Sequence, residues 1–130
     1  MATFKQFEDI DAWKRARELT REVYRVSSTG TFAKDFELRG QIRRASVSIM
    51  ANIAEGFERG GKKELGQFLS IAKGSAGEVR SHLYVAADQS YLTKDDVEKL
   101  SRIVKDVSRI ISGLMTYLKK SGIKGPKYKE

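Results

Sequence analysis

The only proline in this 130-residue sequence is Pro126, so no obligate helix breaker precedes the C-terminal tail. Against that background, apolar residues recur at intervals of three and four. At about 100° per residue, this spacing gathers them on one side of a helix. No alternating strand pattern, internal repeat or low-complexity tract interrupts it. Four amphipathic segments joined by short polar loops predict an all-α fold, an antiparallel up-and-down four-helix bundle. The length fits a single domain over 1–130, with an N-terminal arm over 1–9 and a basic tail over 121–130.

The most informative segment runs from Gln41 to Gly56, QIRRASVSIMANIAEG. Leu38, Ile42, Ala45, Ile49, Ile53 and Phe57 fall on one face of a helix. Beside them Gln41, Arg44, Ser48, Asn52, Glu55 and Arg59 keep to an arc of roughly 80°. Ser and Asn are mediocre in helix interiors, so their ordered spacing asks for a reason. One reason is a structural polar network in which Gln41, Arg44, Ser48, Asn52 and Glu55 bond to one another and to neighbouring helices. The other is a site for chemistry. Glu55 lacks a nearby second carboxylate, cysteine or histidine, and Glu58 at i+3 brings no third metal ligand, so the structural role is expected. Apolar and small residues on this helix also extend well past the ≳100° stripe that one core needs. The surplus at Val47, Met50 and Ala54 is read as an oligomer interface.

These residues carry a family resemblance. Gln41-Ile42-Arg43-Arg44-Ala45, Ser48-Ile49 and Asn52-Ile53-Ala54-Glu55-Gly56 resemble the signature of the 23S rRNA intervening-sequence proteins, small bacterial four-helix bundles. The likeness continues through Phe68-Leu69, Ala72-Lys73-Gly74-Ser75-Ala76 and Glu78 to Tyr91-Leu92. Met50 stands where that family commonly has proline, and Ala51 where it commonly has serine, which puts a helix kink there in doubt. The resemblance implies ring-shaped homopentamers. It also implies kinship with ring proteins that accompany retroelement reverse transcriptases and engage enzyme and nucleic acid together.

Asp9 or Asp11 is expected to cap the first helix, which ends near Ser27. Its buried face reads Ala12, Trp13, Ala16, Leu19, Val23 and Val26. Its outer face carries Lys14, Arg17, Arg21 and Arg25, with Glu18 and Glu22 alongside to neutralise part of the stripe. Asp35 is placed to cap the second helix, and Gly60-Gly61 to end it. The third helix is expected over 62–90. Gly66, Gly74 and Gly77 are costly inside it, and close approach of another helix backbone is the expected compensation. His82 shares a flank with Ile71 and Glu78 and is read as a packed or interfacial residue. Thr93-Lys94-Asp95-Asp96 resembles a capping box for the fourth helix, which turns Arg102, Lys105 and Arg109 outward. Ser121-Gly122 is expected to end that helix, and Lys124, Lys127 and Lys129 to lie in the tail.

Composition narrows the function. With no cysteine there is no disulfide, thiol catalysis or usual structural zinc site, and His82 alone makes no metal site. No cofactor is expected and no enzyme activity is indicated. No apolar run reaches the roughly 18 residues of a membrane span, and the N-terminus lacks a signal-peptide core, so a cytoplasmic protein without membrane contact is expected. Twenty-five basic residues against 17 acidic ones leave a net charge of +8, which makes RNA and DNA the first partners to consider. Lys14, Arg17, Arg21, Arg25, Arg102, Lys105 and Arg109 are the candidate contacts. No aromatic residues interleave with them, so phosphate-led binding with little sequence preference is expected. The alternative is an oligomeric scaffold for a protein partner, such as a reverse transcriptase, without nucleic-acid binding.

Overall fold

The computed structural model describes residues 4–120, so the tail lysines and the expected stop at Ser121-Gly122 lie outside the described residues. Four helices account for most of them: α1 (Asp11–Ser27), α2 (Phe36–Glu58), α3 (Lys62–Asp88) and α4 (Lys94–Lys120). Among the described residues no strand forms, and the fold is an all-α four-helix bundle.

Local chemistry explains most of the helix ends. The Asp35 carboxylate accepts from the Leu38 amide at 3.0 Å, as a side-chain cap should. The Asp96 amide donates to the Thr93 hydroxyl at 3.1 Å, which starts α4. Gly60 closes α2 at φ +87°, a backbone conformation that glycine adopts freely. The first helix differs from expectation. Asp9 accepts from the amides of Lys5 and Gln6 and so closes the short 3₁₀ turn Phe7–Asp9, while α1 starts after Ile10 without a side-chain cap. Helix α3 ends at Asp88, and Ser90 then takes φ +61° to turn the chain. Helix α2 runs unbroken through Met50.

Helices adjacent in sequence pack against one another around the bundle, and α1 closes the ring against α4. The cross-helix bonds give the direction: Arg15 meets Asp106 while Arg25 meets Asp96, so α1 and α4 are antiparallel. The core is the set of faces expected from the spacing, among them Leu19, Ile42, Ile49, Ile53, Leu65, Leu69, Leu100 and Ile111, each fully buried. Phe32 in the α1–α2 connection is buried too, stacked on Tyr91 at 5.2 Å between ring centroids. Tyr91 in turn donates its hydroxyl to Asp35 at 2.9 Å, which ties the α3–α4 turn to the α2 cap.

The close helix approach anticipated for the α3 glycines is found elsewhere. A Cβ added to Gly66, Gly74 or Gly77 would meet nothing within 4 Å. At Gly56 on α2 it would lie 2.7 Å from the Phe68 Cβ and 3.3 Å from the Leu65 Cα. Gly56 therefore sets the α2–α3 crossing, while Gly74 and Gly77 are exposed and Gly66 borders a cavity.

Candidate functional site

The basic stripe of α1 lies opposite that helix's buried face, and all four of its cations are exposed. They are not equivalent. Arg25 bonds Glu22 and Asp96, each at 2.7 Å. Arg17 sits 5.7 Å from the centroid of Trp13, a cation–π contact. The side chains of Lys14 and Arg21 have no ion pair or hydrogen bond among the described residues. Glu22 neutralises part of the stripe, as expected, but through an i, i+3 pair rather than i, i+4. Glu18 pairs with Arg15, outside the stripe, and Glu22 pairs with Arg25 and reaches Lys99 of α4 at 3.4 Å.

These contacts form a seam between α1 and α4. Arg15 bridges Glu18 at 3.1 Å and Asp106 at 2.9 Å, and Asp106 also takes Arg109 at 3.5 Å. Hydrogen bonds from Arg25 hold Glu22 and Asp96 below their ordinary pKa, and one from Arg15 does the same for Asp106. On α4, Arg102 is exposed without a partner among the described residues, while Arg109 is drawn into the seam. Lys105 points to the opposite flank. There it lines a small cavity of about 50 Å³ with Arg80 and Tyr84 of α3.

That cavity holds residues missed by reading the sequence. Tyr84 is 66% exposed, and Arg80 and Lys105 have no acidic partner among the described residues. An aromatic ring thus stands among free cations, contrary to the expectation that none would. The signal in the sequence was Arg80 four residues before Tyr84, but Lys105 joins them only through the α3–α4 packing.

The polar stripe on α2 separates into parts. The Asn52 amide donates to the Ser48 carbonyl at 2.8 Å and to its hydroxyl at 3.0 Å, and the Ser48 hydroxyl meets Ser75 of α3 at 3.0 Å. Glu55 is exposed and pairs with Arg59 at 2.7 Å, not with Asn52. Gln41 and Arg44 make no hydrogen bond to the others. They line a cavity of about 360 Å³ between α2 and α3, together with Ser48, Glu78 and His82. The five-residue network is thus a Ser48–Asn52–Ser75 cluster beside an open polar groove. The reason is geometric: one 80° arc on α2 spans both the edge that α3 covers and the edge that it leaves open.

Of the three residues read as an interface, Val47 is 43% exposed. Met50 packs against the core, with the Thr20 hydroxyl 3.4 Å from its sulfur, and Ala54 is half-buried. Further apolar side chains reach the surface at Ile71 and Val85, and Tyr24 and Phe36 are exposed as well, each with a guanidinium group, of Arg43 and Arg39, over one ring face. Among the described residues no three His, Asp or Glu side chains gather as a metal site, and no helix is long and apolar enough to cross a membrane.

Fold and surface together define a basic, cysteine-free four-helix bundle with unpaired cations on two faces. The chain belongs to the 23S rRNA-intervening sequence protein family, whose sequence model it matches over residues 8–113. Its fold is similar to the crystal structure of a protein of unknown function from the S23 ribosomal protein family of Bacteroides thetaiotaomicron VPI-5482. That likeness has a TM-score of 0.72 at 20% identity and covers 80% of this chain and 97% of the other, so it speaks for the fold alone. No curated protein matches the chain.

Proposed function

We propose that this chain is a non-catalytic, homo-oligomeric RNA- or DNA-binding protein that engages phosphates through its unpaired cations, as an accessory factor in the cytoplasm. The supporting observation is that, among the described residues, Lys14, Arg21, Arg102 and Lys105 are exposed without carboxylate partners, on a chain of net charge +8. Membership of a family named for sequences within 23S rRNA adds weight to an RNA-related role. Self-association, with a pentameric ring as the leading form, draws support from exposed apolar residues such as Val47, Ile71 and Val85. A ring would repeat the cations around one polyanion and so raise its avidity. The same apolar residues favour a second reading, a scaffold for a protein partner such as a reverse transcriptase.

The deciding experiment is a salt series. Affinity of the oligomer for RNA or duplex DNA should fall linearly in log K against log salt, with little dependence on base sequence. Changing Lys14, Arg17 and Arg21 together to Gln should weaken all sequences alike and flatten that slope. Arg25 is left out because its loss would open the α1–α4 seam. Failure of the wild type to shift any nucleic acid at about 50 mM salt would remove this reading and leave the scaffold.

A further inference from the structure

The α3–α4 groove differs from the α1–α4 seam, where carboxylates and guanidinium groups pair. A cavity of about 520 Å³ opens at one end, bordered by Lys62, Lys63 and Lys119 over Gly66 and Ser70. The cavity of Arg80, Tyr84 and Lys105 lies at the other. Helical spacing joins the two. On α3 the residues turned toward α4 continue from Ser70 through Lys73 and Gly77 to Arg80. On α4 they run from Ser101 through Lys105, Ser108 and Ser112 to Lys119. Between Ser70 and Arg80, and between Ser101 and Lys119, neither row contains an Asp or Glu; Glu98, one turn before Ser101, is the first acid on that side of α4. Met115 and Leu118 give the larger cavity an apolar wall beside its lysines, and exposed Lys73 and Gly77 continue along α3 toward Arg80. From Lys62 to Tyr84 the groove runs about 33 Å at 1.5 Å per residue.

The open space above Gly66 and Gly77 now has a use. These glycines are unfavourable within a helix, and no helix of this chain approaches them. Side chains there would fill the groove. Tyr84, at 66% exposure, is likewise unexplained by packing. An exposed ring beside two cations that lack acidic partners among the described residues matches the chemistry of a flexible polyanion with planar bases. A duplex is too broad and rigid to present a base to the ring.

We propose that the α3–α4 groove seats single-stranded nucleic acid, with Tyr84 stacking on a base and Arg80, Lys105 and Lys73 holding the adjoining phosphates. This deepens the proposed function and rests on it. It turns a generic phosphate-binding surface into one that prefers single strands.

The test measures affinity of the intact oligomer for labelled 20-nucleotide oligo(U) and oligo(dT) and for a 20-base-pair DNA duplex, across salt. Tyr84→Ala should weaken single-strand binding about tenfold or more without changing the salt slope, because stacking releases few counterions. Tyr84→Phe should restore it, and duplex affinity should not respond to either change. Arg80→Gln with Lys105→Gln should lower the single-strand slope by about 0.7 for each phosphate no longer neutralised. Circular dichroism and light scattering on each variant verify fold and mass. If these variants bind single strands like the wild type while the α1 triple variant loses binding, the groove assignment is overturned and the phosphate-led reading stands. If Tyr84→Ala or the double variant instead dissociates the oligomer, the groove is a subunit interface and the assignment is equally overturned. Absence of any wild-type binding overturns both.

Discussion

Helix α4 presents a different surface to each of its neighbours. Toward α1, carboxylates and guanidinium groups interlock: Asp96 with Arg25, Asp106 with Arg15 and Arg109, and Lys99 with Glu22. Toward α3, Lys105 meets Arg80 across a groove with no acid in its lining. The α1 flank uses its charges to hold two helices in register. The α3 flank gains nothing for the fold from its charges, which repel one another when the protein is alone. A net charge of +8 is therefore a poor guide to where a polyanion would settle. What matters is which cations lack a partner.

The sharpest way to break the contrast is to give the groove the chemistry of the seam. Ser101→Glu places a carboxylate one turn before Lys105 and in the cavity shared with Arg80, a favourable i, i+4 order. Single-strand affinity should drop about tenfold or more as the new carboxylate competes with phosphate for these cations, while urea denaturation shows stability unchanged or raised by about 0.5 kcal/mol. Unaltered binding would mean that the groove cations are not used.

The converse change is smaller in effect and read as stability. Arg15→Ala combined with Arg25→Ala should destabilise by about 1–2 kcal/mol in urea, since the pairs are partly exposed and each is worth at most about 1 kcal/mol. Arg80→Gln with Lys105→Gln should stay within about 0.5 kcal/mol. Equal losses from both double variants would erase the distinction between the flanks.

Acid sharpens the same point. Glu22, Asp96 and Asp106 have folded pKa values below their ordinary ones because arginines bond their charged forms. Their contribution is therefore complete above the unfolded values near pH 4 and lost as pH falls through the lower folded values. Stability measured from about pH 6 down to about pH 2 should decline over that window in the wild type. The decline should be shallower in the Arg15→Ala, Arg25→Ala variant. An identical slope would place the acid-sensitive groups elsewhere.

Two substitutions on α2 serve as controls away from both flanks. Asn52→Ala removes both bonds to Ser48 and should cost about 1 kcal/mol, with a lower Tm. Glu55→Ala opens only an exposed pair with Arg59 and should change stability by less than about 0.5 kcal/mol. A larger loss at Glu55 than at Asn52 would reverse the ranking of the stripe and give Glu55 a partner beyond this chain.

Much of the bundle is legible in the sequence. Apolar spacing identifies the buried faces, and Asp35, Gly60 and Thr93 mark helix ends, because caps and turns depend on residues within one helical turn. The misread positions needed information from farther along the chain. Asp9 was free to close its own 3₁₀ turn, so its presence before α1 did not make it that helix's cap. Gly56 and the α3 glycines look alike as letters. Only the helix crossing shows that Gly56 touches Phe68 and Leu65 while the others face open space. Arg15 reaches Asp106 across 91 residues and Arg25 reaches Asp96 across 71. Tyr84 acquires Lys105 in the same way. A sequence sets the angle of each residue on its own helix, since 3.6 residues per turn is a local property. The rotation and register of one helix against the next come from packing the whole core. That packing decided which cations of this protein are neutralised and which remain free.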